Sequence, residues 1–170
     1  LVVAGDFKKD QAKKWIAQYF GTIPKGAPIK REQFIEEPIT ETIKARFEDN
    51  NIQIPAIVAA YRTPSMKTRD ARVLDLISSY LSDGKSSKLY KKIVDDKKIA
   101  LQVGAFSNSQ EDYGMYILYG LPMGQNSPTD ILKEIDEEIT KLQTELISEK
   151  DYQKLQNKFD NNFVSSNASI

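Results

Sequence analysis

The feature that most constrains this fold is a pair of apolar segments separated by a short polar loop. Residues 100–107 and 113–121 alternate like strands, and a loop of five polar residues lies between them. A loop of this length joins strands that run antiparallel, so the pattern predicts a β-hairpin. In the second strand Gly114 and Gly120 fall on one face, where the missing side chains allow another element to approach closely. The chain is therefore expected to contain an antiparallel sheet.

The remaining apolar patterns place this hairpin in an α+β domain. Apolar spacing and N-cap residues predict helices beginning near Asp10, Thr68, Ser127 and Ser148. Further strands are predicted over residues 1–7, 43–48 and 54–61, the last of them as a central strand. The resulting order, with its hairpin, predicts an antiparallel or mixed sheet packed on one side by helices.

Two helices are predicted to meet at a hinge. Gly84 is free to adopt a positive φ and to end the helix before it. Ser86 or Ser87 is expected to accept hydrogen bonds from the first free N–H groups of the next helix, predicted over residues 87–95. The hinge resembles the end of a phosphate-binding loop, but Ser79 stands where that motif requires glycine, and a helix precedes it instead of a strand. Nucleotide binding is therefore not expected.

The 170-residue chain contains neither histidine nor cysteine. This excludes disulfides, Ser-His-Asp and Cys-His catalysis, and any histidine-bearing zinc site within these residues. Lys+Arg and Asp+Glu both count 24, so the net charge gives no indication of a nucleic-acid or anionic-membrane partner. No apolar run approaches the roughly 18 residues of a membrane span. A soluble protein is expected, and these residues leave the compartment open between periplasm and cytoplasm if the source is bacterial.

Charge is distributed unevenly along the chain. Residues 62–98 hold ten basic and five acidic side chains, and residues 111–151 hold three basic and ten acidic ones. We interpret both stretches as solvated helix faces. The clusters that share this interpretation are Asp95-Asp96, Asp136-Glu137-Glu138, and the series Lys85, Lys88, Lys91 and Lys92. Asn167-Ala168-Ser169 fits the pattern for glycosylation, which is weak evidence by itself. The residues alone thus predict an α+β domain without an active site.

Several segments, in order, resemble the pitrilysin/insulinase family of zinc metallopeptidases. Residues 81–94 resemble its block L-x-x-G-x-S-S-R-L-Y/F-x-x-L-R. Residues 2–7 with 19–24 are similar to its segment V-V-G-D…K-Y-F-G-x-I-P, which closes one peptidase-like domain. Residues 61–64 are similar to its strand-ending Y-x-x-P, and residues 100–121 to the hairpin that follows. The resemblance covers nearly the whole chain.

This resemblance implies a metallohydrolase-like domain of the mitochondrial processing peptidase type. Such domains are repeated and pair into a chamber that encloses a peptide. One of them binds zinc through H-x-x-E-H and a distal glutamate, and a chain without histidine is not that domain. Residues 1–24 would then be the closing strand and helix of a preceding peptidase-like domain. Residues 25–42, where proline and glycine lie among charges, would be a linker, and residues 43–170 an inactive peptidase-like domain truncated at its C-terminal end.

The family also has an arginine and a tyrosine, seven residues apart, that bind the substrate backbone. Val94 and Leu101 occupy these positions here, and neither side chain donates a hydrogen bond to a carbonyl or an oxyanion. We therefore expect no catalytic, metal-binding or substrate-binding residue in this chain. In the family the pair lies on the half opposite the zinc. The resemblance thus implies two partners: an upstream zinc-bearing domain, and a second peptidase half that supplies the arginine and tyrosine.

Two functions remain open at this point. In the first, the chain is a non-catalytic domain of a zinc metalloendopeptidase, which walls the peptide chamber and docks the partner half, with zinc only in the parent's catalytic domain. A basic helix bearing Lys85 and Lys92, if it faces the chamber, would favour acidic peptides. In the second, the chain belongs to a proteolytically inert scaffold subunit. A free-standing binding module is disfavoured because both ends of the chain look cut within an element.

Overall fold

A three-stranded antiparallel sheet forms the centre of the computed structural model, which describes residues 1–32 and 35–168. Its strands are β1 (Ile57–Pro64), β2 (Ala100–Asn108) and β3 (Tyr113–Pro122), in the order β1-β3-β2. Leu118 of the central strand β3 lies opposite Ala59 on one side and Ala105 on the other. The predicted hairpin and the α+β class are both confirmed.

The described residues include five helical segments. They are α1 (Lys9–Phe20), α2 (Arg69–Ser82), a π-helix (Tyr90–Asp96), α3 (Pro128–Thr144) and α4 (Glu149–Ser166). The predicted caps of α2 and α3 are confirmed, because the hydroxyls of Thr68 and Ser127 accept hydrogen bonds from the N–H groups of Ala71 and Thr129, at 3.3 and 3.2 Å. At the start of α4, Ser148 Oγ accepts from the N–H of Asp151 at 3.1 Å. The cap predicted for α1 is wrong, since Asp10 lies inside the helix and Lys8 precedes it.

Contacts divide the chain into two units, Glu37–Phe159 and the remainder. The larger unit contains the sheet, α2, the π-helix and α3. The smaller unit contains α1, none of whose residues is buried. Trp15, on the predicted apolar stripe of α1, is 56% exposed.

Helices cover one face of the sheet, as predicted. On β3, residues 114, 116, 118 and 120 point to this face and are buried. A Cβ atom at Gly120 would lie 2.5 Å from Cγ2 of Ile131, so glycine here allows α3 to cross close to the strand. The side chains that are buried most completely in this core are Leu81, Leu89, Ile93, Leu118, Ile131 and Ile135.

Two predicted strands are absent, and a third lies elsewhere than expected. Residues 1–7 and 43–48 form no strand, because an apolar run does not supply the neighbouring backbone that a strand must pair with. β1 begins at Ile57 and pairs only with β3, so it is an edge strand of the described sheet and not a central one. It also continues through Pro64, which an edge strand tolerates.

The helix predicted over residues 87–95 is present in a wider form. From Tyr90 to Asp96 it is a π-helix, and the N–H of Lys97 donates to the carbonyl of Lys92 at 3.0 Å. Leu89 and Ile93 are fully buried in the core, as their spacing predicted. Sequence spacing did not predict the π-helix, because one extra residue per turn still leaves this pair on the same face.

Candidate functional site

The hinge that the sequence singled out is held by α4. Gly84 has a φ of +72°, which confirms the predicted left-handed stop. Neither serine caps the next helix: Ser87 Oγ is buried without a hydrogen-bond partner among the described residues, and Ser86 Oγ accepts a hydrogen bond from Lys154 Nζ at 2.5 Å. The predicted cap is therefore wrong. The serine hydroxyl fixes α4 on the hinge instead.

Ion pairs strengthen this contact between α4 and the hinge. Lys88 Nζ lies 2.9 Å from Asp151 Oδ2 and 5.2 Å from the ring centroid of Tyr80. The hydrogen bond from Lys88 is the main cause that lowers the pKa of Asp151. Lys158 pairs in turn with Asp83 beside the glycine. Two of the lysines around the hinge, Lys88 and Lys158, are thus already paired with carboxylates.

A second set of charges joins the π-helix to α3. We call it the lysine–glutamate cluster; its members are Lys92, Lys97, Glu134, Glu137, Glu138 and Lys141. Lys92 Nζ lies 3.1 Å from Glu134, 2.8 Å from Glu137 and 3.1 Å from Glu138. Lys97 also pairs with Glu134, and Lys141 lies 2.7 Å from Glu138. Glu134 and Glu138 are buried, and each of these two carboxylates has two lysine partners.

The surroundings shift the pKa values within this cluster. Burial favours the neutral form of Lys92, but hydrogen bonds to the three carboxylates outweigh it and raise the pKa. Burial favours the neutral form of Glu138 as well, yet Lys141 and Lys92 hold its pKa below the ordinary value. Lys92, Glu134 and Glu138 therefore stay ionised near neutral pH. Because every member is ion-paired, the cluster is a structural contact between the π-helix and α3.

This arrangement corrects the interpretation of the charged segments as solvated faces. Asp95, Asp96 and Asp136 are exposed, as expected. Lys92 and Glu138 are not, because the basic segment 62–98 pairs across the fold with the acidic segment 111–151. The sequence signal that was missed is the spacing of Glu134 and Glu138, which follows that of the buried Ile131 and Ile135 along one face of α3. The charge of Lys92 is paired with three glutamates and is therefore not available to an acidic peptide. Lys85 stays exposed.

The two positions that correspond to the family's arginine and tyrosine lie in different secondary-structure elements. Val94 is in the π-helix and packs against the core. Leu101 is exposed on β2, where the pairing with β3 shifts between Ala100 and Gln102. Neither position provides a polar group.

The face of the sheet opposite the helices carries mostly apolar side chains. We call it the open face; its described side chains include Val58, Phe106, Met115, Ile117 and Tyr119. The ring of Tyr119 lies over Gly104, where a Cβ atom would come within 2.5 Å of it, and meets the ring of Phe106 edge to face at 6.3 Å. These contacts hold two aromatic rings together on an exposed apolar surface, and such surfaces are typical of docking sites.

Within residues 1–32 and 35–168, no group of three or more His, Cys, Asp or Glu side chains is placed to hold a metal ion. No helix in that part of the chain has the length and apolarity to cross a membrane. Asn167 follows the last turn of α4, and Ser169 of the glycosylation pattern lies outside the described residues.

The family assignment rests on nearly the whole chain. Residues 1–159 match the family described as the peptidase M16 inactive domain. The chain belongs to this family. The resemblance to pitrilysin/insulinase peptidases is thereby confirmed, and the chain is an inactive M16 peptidase domain of zinc protease-like proteins.

Relatives of this M16 domain agree with the assignment. The zinc protease PqqE of Helicobacter pylori is 24% identical over 171 residues, which cover 98% of this chain and 38% of that protein. The crystal structure of a protease from Helicobacter pylori has a TM-score of 0.78 at 22% identity, covering 97% of this chain and 40% of that one. A peptidase M16 inactive domain from Pseudomonas fluorescens has a TM-score of 0.69 at 14% identity, covering 96% and 39%. The chain thus spans about two fifths of the length of these relatives.

Proposed function

We propose that this M16 domain is a non-catalytic part of a zinc-dependent metalloendopeptidase, where it walls a peptide-enclosing chamber and docks against the partner half. Zinc would lie only in an upstream catalytic domain. Residues 1–24 would belong to that preceding domain, residues 25–42 would link the two, and residues 43–170 would form the inactive domain. The absence of histidine and cysteine and the match to part of a zinc protease support this division of roles.

The observation that carries the proposal is the exposed apolar side of α1. Trp15, Tyr19 and Phe20 are all half exposed or more, although their spacing is that of a helix face made for burial. Large exposed apolar side chains in one patch mark a surface that another protein covers. We assign this surface to the zinc-bearing domain. The open face is a second apolar surface, which we assign to the partner half.

Trp15 provides the test, because it is the chain's single tryptophan. Its emission should shift to shorter wavelength when the zinc-bearing domain of the parent protein is added, since docking removes the indole from water. Phe20→Asp should abolish the shift, while Lys14→Asp, a charge change on the same helix, should leave it. An unchanged emission in the wild type at saturating partner concentration would contradict the proposed docking.

Peptide cleavage by the parent protein distinguishes the metalloendopeptidase from the inert scaffold. A quenched peptide should be cleaved by the parent protein and lose that cleavage when zinc is chelated. Docking of this domain without any cleavage by the intact parent would favour the inert scaffold.

A further inference from the structure

Residues 149–159 of α4 lie in the larger unit and are attached to it mainly through charged and polar side chains. Of the 18 residues of α4, all of which the structure describes, only Leu155 is buried. Leu155 lines a cavity of about 30 Å³ together with Ser79 and Tyr80 of α2, so its packing is incomplete. By contrast, α3 has 17 residues and buries both Ile131 and Ile135 in the core. Because helices in proteins are stabilised mostly by their packed apolar face, α4 has little to hold it in place except its polar contacts.

Three lysine contacts join α4 to the hinge. They are the ion pair of Lys88 with Asp151 at 2.9 Å, the hydrogen bond from Lys154 to Ser86 at 2.5 Å, and the ion pair of Lys158 with Asp83. The side chains of Lys88 and Lys158 are 38% and 37% exposed, whereas that of Lys92 in the lysine–glutamate cluster is 19% exposed. Salt screens an ion pair more strongly the more exposed the pair is. The contacts of α4 are therefore more sensitive to salt than those of α3.

The start of α4 can separate from the hinge without breaking backbone hydrogen bonds. Its N-terminal cap belongs to α4 itself, since Ser148 Oγ accepts from the N–H of Asp151 at 3.1 Å and donates to Oδ2 of the same residue at 2.8 Å. In the described part of the chain, no backbone hydrogen bond joins α4 to another element. Residues 145–148, which connect α3 to α4, form neither helix nor strand, and Leu146 among them is fully exposed. A short connection of this kind can serve as a pivot.

We propose that residues 149–159 form a strap that ion pairs hold on the hinge and that rising salt opens, while the rest of the larger unit stays folded. In the open state Leu155 is exposed, and Lys88 and Asp83 lose their ion-pair partners on α4. The most completely buried side chains of the described core all lie outside α4, so the core does not depend on the strap. Opening is thus a local event of the kind that precedes global unfolding, and it changes the charge pattern at the hinge.

Thiol labelling measures the opening, because the chain has no native cysteine. In Leu155→Cys the thiol is buried while the strap is closed and reacts when the strap opens. Between about 0.01 M and about 1 M salt the screening length falls from about 30 Å to about 3 Å, and the labelling rate should rise several-fold. Tyr152→Cys, at an exposed position of α4, and Val103→Cys, in the core, should keep their rates. A rate at residue 155 that does not respond to salt, or that rises only together with the rate at residue 103, would overturn the proposal.

The role of the ion pairs is tested by a second substitution in Leu155→Cys. Lys88→Met removes the pair with Asp151 and keeps most of the side-chain length. Labelling at low salt should therefore become several-fold faster than in Leu155→Cys alone, and it should depend less on salt. Lys91→Met, at an exposed position of the π-helix, should change neither quantity. If Lys88→Met were labelled as slowly as Lys91→Met at low salt, the pair would not hold the strap and the proposal would fail.

Hydrogen exchange in the unmodified chain guards against variants that fold poorly. Amides of residues 152–158 should exchange several-fold faster at high salt, because a helix that loses its packing partner frays. Amides of residues 115–120 on β3 should keep their exchange rates over the same range of salt. An equal response of both segments, or no response in residues 152–158, would contradict the opening of a strap.

Discussion

Both faces of the sheet carry apolar side chains, yet the described helices of the larger unit cover only one of them. On the helix-covered face, Leu118 is 1% exposed and touches a core that α2, α3 and the π-helix complete. On the open face, Met115 of the same strand is 45% exposed. An apolar surface that the unit itself leaves uncovered indicates a partner. One face therefore builds the domain, and the other is the surface that we propose for the partner half.

The largest expected effect comes from the covered face. Leu118→Ala removes a buried side chain from a close-packed core and should lower the free energy of unfolding by about 2–5 kcal/mol. Met115→Ala, three residues away on the open face, should change it by less than about 1 kcal/mol. Urea denaturation of both variants measures the difference. Equal losses would mean that the open face is covered within this chain.

The next effect concerns the lysine–glutamate cluster that closes the covered side. Lys92→Met leaves Glu134 and Glu138 buried with one ammonium partner fewer. The substitution should therefore lower the free energy of unfolding by about 3 kcal/mol. This is the lower end of the range for breaking a buried ion pair, because Lys97 and Lys141 still pair with the two glutamates. Lys91→Met, at the exposed neighbouring position, should stay within about 0.5 kcal/mol. If the Lys92 variant were as stable as the Lys91 variant, the ion pairs of Lys92 would contribute nothing to the stability of the fold.

The cluster also predicts how stability depends on pH. The pKa of Glu138 is lower in the folded chain than its ordinary value of 4.5. Its contribution to stability is therefore complete above that value and is lost as the pH falls through the folded pKa. The gap in unfolding free energy between the wild type and Glu138→Gln should narrow as the pH drops from 7 toward about 3. Denaturant titrations across this range measure the gap, and a constant gap would contradict the ionic role.

The smallest effect is expected for an ion pair on the surface. Lys67 and Glu111 lie 3.0 Å apart and are both well exposed. Lys67→Met should change the free energy of unfolding by at most about 1 kcal/mol, and added salt should reduce the effect further. If Lys67→Met lost as much unfolding free energy as Lys92→Met, burial could not be the reason why the Lys92 pairs contribute more to stability.

Local signals in the sequence predicted local structure well. Gly84 predicted the left-handed hinge, and Thr68, Ser127 and Ser148 predicted the helix starts, because each acts on backbone groups a few residues away. The alternation of the hairpin likewise predicted the pairing of β2 with β3. These elements, with helices on one side of the sheet, were enough to give the fold class.

Long-range pairing was not predictable in the same way. The apolar residues of β1 do not reveal whether one or two strands lie beside it, so the predicted central strand is an edge strand of the described sheet. The pairing of Lys92 with Glu138 joins residues 46 positions apart, and each segment alone looks like a solvated face. The absence of a histidine-bearing zinc site, by contrast, follows from the residue types alone and needs no structure.

The most direct test of the central claim is a cleavage assay with a quenched peptide and added zinc. Three samples are compared: this chain alone, the parent's zinc-bearing domain alone, and the two mixed. The account predicts no cleavage by this chain, and faster cleavage by the mixture than by the zinc-bearing domain alone. Cleavage by this chain alone, rising with its concentration and stopped by a chelator, would contradict it.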